Sequence, residues 1–275
     1  MRRLTPTRSP LTRPPPARSA LTLGIALSIV SFALAAACNA TAGVPIELAL
    51  VLEGSGAAAA TTPSGWQVTL TEARIALGPL YAFAPSDEMA RAGESLRRAL
   101  VPVARAHGGF EPFEGREVRT QVLDQVVLDV LGEPIVRSGV EGLEGDVEAI
   151  TVLLEPPAPE HASVLHGHHA WVAGTAIRNS AGGAESVRFE GGLDLSDEGL
   201  TRRVDGIAVG APIAEGSTLT ITADASAWLR EADFTGLTPD PDGVVRFGAA
   251  TQPYRAWLLG ARSAGSYSAR VTPGE

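Results

Sequence analysis

Lysine is missing from all 275 residues, and cysteine occurs only once, at Cys38. A single cysteine excludes an intrachain disulfide, so the stability of the protein has to come from its packed core. Methionine is also scarce, since only Met1 and Met89 are present, and few of the soft thioether ligands that copper(I) prefers are available. All 22 basic residues are arginine, a bias that we attribute, together with abundant alanine, glycine and proline, to a GC-rich genome.

Acidic residues are absent from the start of the chain, and the first one is Glu47. Five arginines precede an apolar stretch of 18 residues from Ala20 to Ala37. A charged region followed by an apolar region is typical of a signal peptide. The stretch is slightly shorter than the ~20 apolar residues that a membrane-spanning helix needs, which makes an uncleaved anchor the less favoured alternative. The sequence therefore predicts a signal peptide over residues 1–37.

The only cysteine ends this apolar stretch, in the sequence Leu34-Ala35-Ala36-Ala37-Cys38. The segment resembles the lipobox of bacterial lipoproteins, although the leucine lies one place further from the cysteine than is usual. The resemblance implies that Cys38 becomes a multiply acylated N-terminus and that residues 38–43 form a short tether. It also implies a lipid-anchored protein on the periplasmic or surface face of the cell envelope. Asn39 follows the cysteine where aspartate would favour the inner membrane, so the outer membrane is preferred.

The part of the chain after the leader is strongly acidic, with 17 of the 22 arginines against 31 acids and a formal charge of −14. An acidic surface argues against binding to nucleic acid and against adhesion to anionic lipid. The predicted contact with the membrane is therefore the acylated cysteine. Ser263 lacks the first glycine of a nucleophile elbow, and we expect no enzymatic activity.

Apolar residues alternate with polar ones in many short segments, which is the pattern of half-buried strands. Glycine- and proline-rich turns separate these segments, as in Pro239-Asp240-Pro241-Asp242-Gly243. Many short strands with such turns predict a mainly β fold, an antiparallel β-sandwich or a barrel-like arrangement, as a single domain over residues 44–275. The alternating segments are 44–53, 66–71, 150–154, 187–189, 218–223 and 267–271.

Two segments depart from this period. Residues 86–106 begin with Ser86 as a potential N-cap and space Met89, Leu96 and Leu100 along one face, which predicts a helical insertion. The second segment, 117–131, fits either a helix or a strand, and the β-branched residues near its C-terminal end favour a strand there.

Four of the five histidines lie within nine residues. On an extended backbone, His166 and His168 would point to the same side and could both bind one ion. Neutral imidazole suits copper(II) and zinc, so the sequence predicts a site for one of these ions. The alternative is a solvated histidine-rich loop without a tight site. The remaining candidate ligands are His161, His169, His107, Glu155 and Glu160, with Trp171 as an accessory residue.

Six segments of the chain carry a family resemblance: Gly65–Leu70, Ala73–Tyr81, His107–Gly109, His168–Ala176, Ile221–Leu229 and Asp233–Phe234. Together they resemble a group of uncharacterised lipoproteins of GC-rich bacteria and, more distantly, the periplasmic copper-binding proteins associated with methanobactin systems. The resemblance implies a β-rich periplasmic domain and a copper site that uses histidine near tryptophan. His168, His169 and Trp171 are the local match to that description.

The function expected from these observations is that of a lipid-anchored, extracytoplasmic binding protein, with copper(II) or zinc as the ligand. The alternative is a structural or interaction lipoprotein that binds protein or glycan without a metal.

Overall fold

Strands with alternating burial dominate the protein, whose computed structural model describes residues 43–85, 116–180, 183–195 and 202–274. In Pro45–Gly54 the side chains of Ile46, Leu48, Leu50 and Leu52 are buried, and the residues between them are more exposed. The same alternation recurs in the predicted strands 66–71, 187–189 and 267–271, whereas residues 150–154 are buried throughout. The predicted mainly β fold is therefore confirmed.

The described ranges contain fourteen strands, which are labelled in chain order. They are β1 Pro45–Gly54, β2 Ala59–Thr61, β3 Gln67–Leu77, β4 Leu80–Phe83, β5 Val118–Val122, β6 Val126–Asp129, β7 Ile135–Leu143, β8 Gly145–Leu153, β9 Ala170–Ser180, β10 Gly183–Leu193, β11 Arg203–Ile213, β12 Thr218–Ala223, β13 Val244–Arg246 and β14 Tyr267–Thr272.

The strands form two sheets in a nearly closed, barrel-like arrangement. The first sheet has the order β11-β8-β4-β5-β7-β1-β12-β14, and the second has the order β13-β10-β9-β3-β2, with β6 also paired to β3. Most neighbouring strands are antiparallel, but β1 pairs with β12 and β10 pairs with β13 in parallel. The β1–β12 pair joins segments that are far apart in the chain. The alternation within one strand cannot specify which strand becomes its neighbour.

A bulge in β3 changes which of its residues face the core. Val68 and Leu70 are buried before the bulge, whereas Ala73 and Ile75 are buried after it, because the register against β9 shifts between Leu70 and Glu72. An extra residue in one strand reverses the alternation in this way. The reversal leaves Arg74 on the outer face of the second sheet, directly opposite Trp171 of β9.

A cluster of aromatic rings fills one end of the core. Phe189 lies 5.0 Å from Phe234 and 5.6 Å from Phe247, measured between ring centroids. Trp66 contacts Phe234 at 5.7 Å, and Trp257 contacts Phe247 at 6.0 Å, both edge to face. Burial of each such side chain contributes roughly 1.5–3 kcal/mol to stability, so this cluster fixes the C-terminal segment against the second sheet.

Two α-helices lie within the described ranges, α1 Ala225–Trp228 and α2 Gln252–Ala261. The sequence analysis did not identify either of them as a helix. In α2, Tyr254, Trp257 and Ala261 are buried, which is the spacing of one helical face. Neither of these helices is long and apolar enough to cross a membrane.

The ambiguous segment 117–131 forms two strands, so its helical alternative is wrong. β5 belongs to the first sheet and β6 to the second, and residues 123–125 connect them. The predictions for residues 1–37, Cys38, the helix 86–106 and His107 fall outside the described residues. They stay predictions.

Candidate metal centre

The histidine-rich segment is an ordered loop that connects β8 to β9, and residues 155–169 are called the histidine loop below. Gln125 fixes its start, because its side-chain nitrogen donates to the Pro156 carbonyl oxygen at 2.7 Å and its side-chain oxygen accepts from the Ala158 N–H at 2.7 Å. Leu165 is fully buried and fixes the middle of the loop. The loop is therefore held at both points against the rest of the protein.

His166 and His168 lie in this loop, and the predicted strand that would carry both of them is wrong. Residues 161–167 form turns, and β9 begins only at Ala170. The N–H groups of Gly167 and His168 bond within the loop, to the carbonyl oxygens of Ala162 and Leu165. Backbone groups that bond locally cannot take part in a strand ladder. His166 has a φ of +52°, a left-handed conformation that costs roughly 1–2 kcal/mol for a residue with a Cβ.

The turn nevertheless brings both imidazoles to one indole. The ring centroid of His166 lies 4.2 Å from that of Trp171, and the ring centroid of His168 lies 5.9 Å from it with an interplanar angle of 19°. Trp171 is half-buried on the outer face of β9. His166 and His168 therefore meet through a turn and not along a strand, and the indole of Trp171 is the surface that both rings share.

Asp194 orients the His168 ring. The Nδ1 atom of His168 lies 2.8 Å from Oδ1 of Asp194. Because an ionised carboxylate can only accept, the proton of this bond belongs to Nδ1. In the neutral ring, the lone pair is then on Nε2, where it can bind a metal ion. A histidine ligand whose other nitrogen donates to a carboxylate is a common arrangement around protein-bound metals.

Gly192 of β10 provides the space for the His168 ring. It pairs directly with Trp171 across the β9–β10 ladder. A Cβ at position 192 would lie 2.0 Å from Cδ2 and 2.1 Å from Cγ of His168. Any side chain at this position would therefore displace the imidazole from Asp194.

His169 does not belong to this group. Its side chain is buried, and its Nδ1 atom faces the Leu195 N–H at 3.5 Å. Its own N–H donates to the Leu193 carbonyl oxygen at 3.0 Å, which extends the β9–β10 ladder by one residue. The family resemblance matched His168, His169 and Trp171, but only His168 of the two histidines lies against the indole.

The other predicted ligands lie elsewhere in the loop. His161 shapes the turn through its carbonyl oxygen, which accepts from the N–H groups of Val164 and Leu165. Glu155 forms an ion pair with Arg202 at 2.8 Å, and Glu160 is exposed in the turn. Within the described ranges, no three histidine, cysteine, aspartate or glutamate side chains are arranged to hold a metal ion. The predicted larger ligand set includes His107, which lies outside these ranges, and it stays a prediction.

Sequence reasoning did not identify Asp194 or Gly192. Asp194 is 26 residues from His168, and nothing in the local pattern connects the two. The pair Gly191-Gly192, just beyond the predicted strand 187–189, did carry a signal, because glycine near a strand often marks the close approach of another group.

No family model matches this chain, and no curated protein or solved structure matches it significantly. A functional assignment therefore depends on the leader sequence, the fold and the geometry around Trp171.

Proposed function

We propose that this protein is a lipid-anchored, extracytoplasmic binding protein that holds copper(II) or zinc at His166 and His168. The leader that ends at Cys38 supports the cellular location, since lipidation of that residue would fix the β domain at the surface of a membrane. The acidic composition supports a role away from nucleic acid.

The single observation that carries the metal proposal is the bond between His168 and Asp194. It selects the tautomer with a lone pair on Nε2 and holds the ring in one orientation. The His168 side chain keeps 32% of its surface exposed, so an ion from solvent can reach the imidazole ring. His166 lies against the same indole and supplies the second imidazole.

The left-handed backbone of His166 supports the same assignment. A residue held in an unfavourable conformation persists only where its surroundings compensate, and such residues cluster at ligand sites. Here the compensation includes the ring contact with Trp171. Glycine follows at position 167 with a φ of +84°, so the chain makes a tight reversal that carries the His166 ring back toward β9.

Thermal unfolding of the lipoprotein, purified in detergent without a histidine tag, tests this function. An ion that binds only the folded state stabilises it by about 2.7 kcal/mol when its free concentration is a hundredfold above Kd. For a domain of this size, the melting temperature should then rise by about 5–10 °C with added copper(II) or zinc at pH 7.5. The rise should be much smaller at pH 5.5, because metal binding needs deprotonated imidazole and free histidine is protonated below pH ~6.5.

The control variants come from the same loop. The double variant His166→Ala/His168→Ala should lose the metal-induced rise in melting temperature, whereas His161→Ala should keep it. Equal rises in the wild type and in the double variant would refute this site.

The second candidate function is that of an interaction lipoprotein that binds protein or glycan. The observation in its favour is an open cleft of about 870 Å³ between the start of β1, β5 and the end of β7. Its lining combines apolar and charged side chains, and Leu123 at its side is 60% exposed. If the metal test fails, binding of protein or glycan in this cleft becomes the favoured function. Its lining includes Ile46, Glu47, Arg119, Leu123, Glu141 and Glu215.

A further inference from the structure

The hydroxyl group of Tyr254 forms two hydrogen bonds to the main chain of Asp194. It donates to the Asp194 carbonyl oxygen at 3.0 Å and accepts from the Asp194 N–H at 3.2 Å. Tyr254 lies in α2 and is 7% exposed, so its ring is fixed within the core. One buried side chain therefore holds both polar groups of the residue whose carboxylate orients His168.

Asp194 depends on this support because of its place in the fold. The β9–β10 ladder ends with the pair of Ala170 and Leu193, one residue before it. Its own side chain is 62% exposed, and packing therefore contributes little to its orientation. The direction of the carboxylate must then be set mainly by the main chain, which Tyr254 holds.

We propose that Tyr254 is a positioning residue for the metal centre, which acts on His168 through Asp194. The inference rests on the proposed function, since it assumes that His168 binds the ion. It connects Tyr254 of helix α2, which is 60 residues from Asp194 in the chain, to the affinity of the histidine ligands. Tyr254 itself contributes no ligand.

The variant Tyr254→Phe tests the proposal because it keeps the buried ring and removes only the hydroxyl group. Loss of a partner that orients a ligating histidine typically weakens metal binding by about 10–100-fold. Since Tyr254→Phe leaves the Asp194 carboxylate in place, a smaller effect of about three- to tenfold in the Kd for zinc is expected.

Tyr267→Phe is the matched control. Tyr267 is also buried, and its hydroxyl group donates to a main-chain carbonyl oxygen, that of Ala261, at 2.8 Å. Removal of the Tyr267 hydroxyl group costs the fold a hydrogen bond to the main chain of Ala261 and not to that of Asp194. A purely structural role of Tyr254 predicts that the two variants have the same effect on zinc affinity.

The measurement is a zinc titration of the full chain against a competing indicator, with four variants beside the wild type. These are Tyr254→Phe, Tyr267→Phe, Asp194→Ala and the double variant Tyr254→Phe/Asp194→Ala. We expect weaker zinc binding for Tyr254→Phe, no change for Tyr267→Phe, and no further loss when Tyr254→Phe is added to Asp194→Ala. Unchanged zinc affinity in folded Tyr254→Phe, or an equal loss from this change with and without Asp194, would overturn the proposal.

A second readout does not depend on a metal. In the metal-free protein at pH 8, the Nδ1 proton of His168 should give a protected NMR signal in the wild type. That signal should disappear in Asp194→Ala and exchange faster in Tyr254→Phe, with no change in Tyr267→Phe. If the wild type binds neither zinc nor copper(II) but shows this pattern, the proposed function is wrong and the positioning by Tyr254 stands. If the signal is the same in Tyr254→Phe as in the wild type, the positioning is wrong.

Discussion

A methyl group added at Gly192 should separate metal binding from stability. In Gly192→Ala the new Cβ would overlap the His168 ring, with closest distances of 2.0, 2.1 and 2.4 Å to Cδ2, Cγ and Nε2. Gly192 does not have a left-handed φ, so alanine introduces no backbone strain there. The side chain of His168 is partly exposed and can rotate toward solvent. The substitution should therefore break the bond to Asp194 while the sheet stays intact.

The expected cost to folding is small. It consists of one hydrogen bond, worth about 0.5–1.5 kcal/mol net. For a domain of about this size, 1 kcal/mol changes the melting temperature by roughly 2–4 °C. Affinity for copper(II) or zinc should fall much more, by about 10–100-fold, because the histidine loses its orienting partner. Denaturant unfolding and metal titration of the same preparation measure the two effects.

The neighbouring glycine gives the opposite expectation and acts as the control. A Cβ at Gly191 would lie 2.7 Å from Cε2 and 2.8 Å from Cδ2 of Phe247, inside the aromatic core. Gly191→Ala should thus destabilise the fold by about 1–3 kcal/mol through overpacking and leave metal affinity nearly unchanged. Metal affinity that survives in Gly192→Ala, or that falls equally in both variants, would refute the role assigned to His168.

Two further predictions concern the core and the membrane anchor. The Asp233 carboxylate accepts hydrogen bonds from the hydroxyl and N–H groups of Thr235 and from Nε1 of buried Trp66. The bonds from Thr235 above all lower the pKa of this carboxyl group. Asp233→Ala should therefore destabilise the protein by about 1–3 kcal/mol in urea unfolding at pH 7. Because folding lowers the pKa of Asp233, its contribution to stability is fully present above the ordinary aspartate pKa and is lost as pH falls below about 4. The stability difference between wild type and variant should therefore shrink in acid. A difference that stays constant down to pH 2 would contradict this account. Cys38→Ser should leave an unprocessed precursor and abolish acyl labelling in cells, and normal cleavage and labelling of that variant would show that the lipoprotein prediction is wrong.

The strands were the most predictable part of this protein. In β1 one face of the strand is buried, and a period of two in the sequence reports this directly, whereas in β12 Thr220 on the polar side is buried as well. The reversal of parity within β3 could not be predicted, because a bulge depends on the partner strand as well as on the local sequence. The segment 117–131 was ambiguous for a similar reason, since its two short strands belong to different sheets.

The candidate site was predictable only in its chemistry. The cluster of histidines near Trp171 is visible in the sequence, and the family resemblance linked His168 to that residue, but the contact of His166 with Trp171 was not predicted. Their extended conformation was predicted wrongly, because local hydrogen bonds hold the loop in turns. The burial of His169 involves Leu193 and Leu195, which are distant in the chain, so the sequence could not show that His169 is buried while His168 is partly exposed.

The sequence by itself determined the composition of the protein, the alternation that makes it a β protein, and the presence of imidazoles beside an indole. Only the tertiary structure decided which imidazole is oriented for binding. Asp194, Gly192 and Tyr254 come from distant positions, and they act through a hydrogen bond, a missing side chain and a buried hydroxyl group. Such contacts depend on distances of a few ångströms between elements that sequence periodicity treats separately. The period of a strand specifies its buried face, whereas the pairing of the strands determines what meets on the other face.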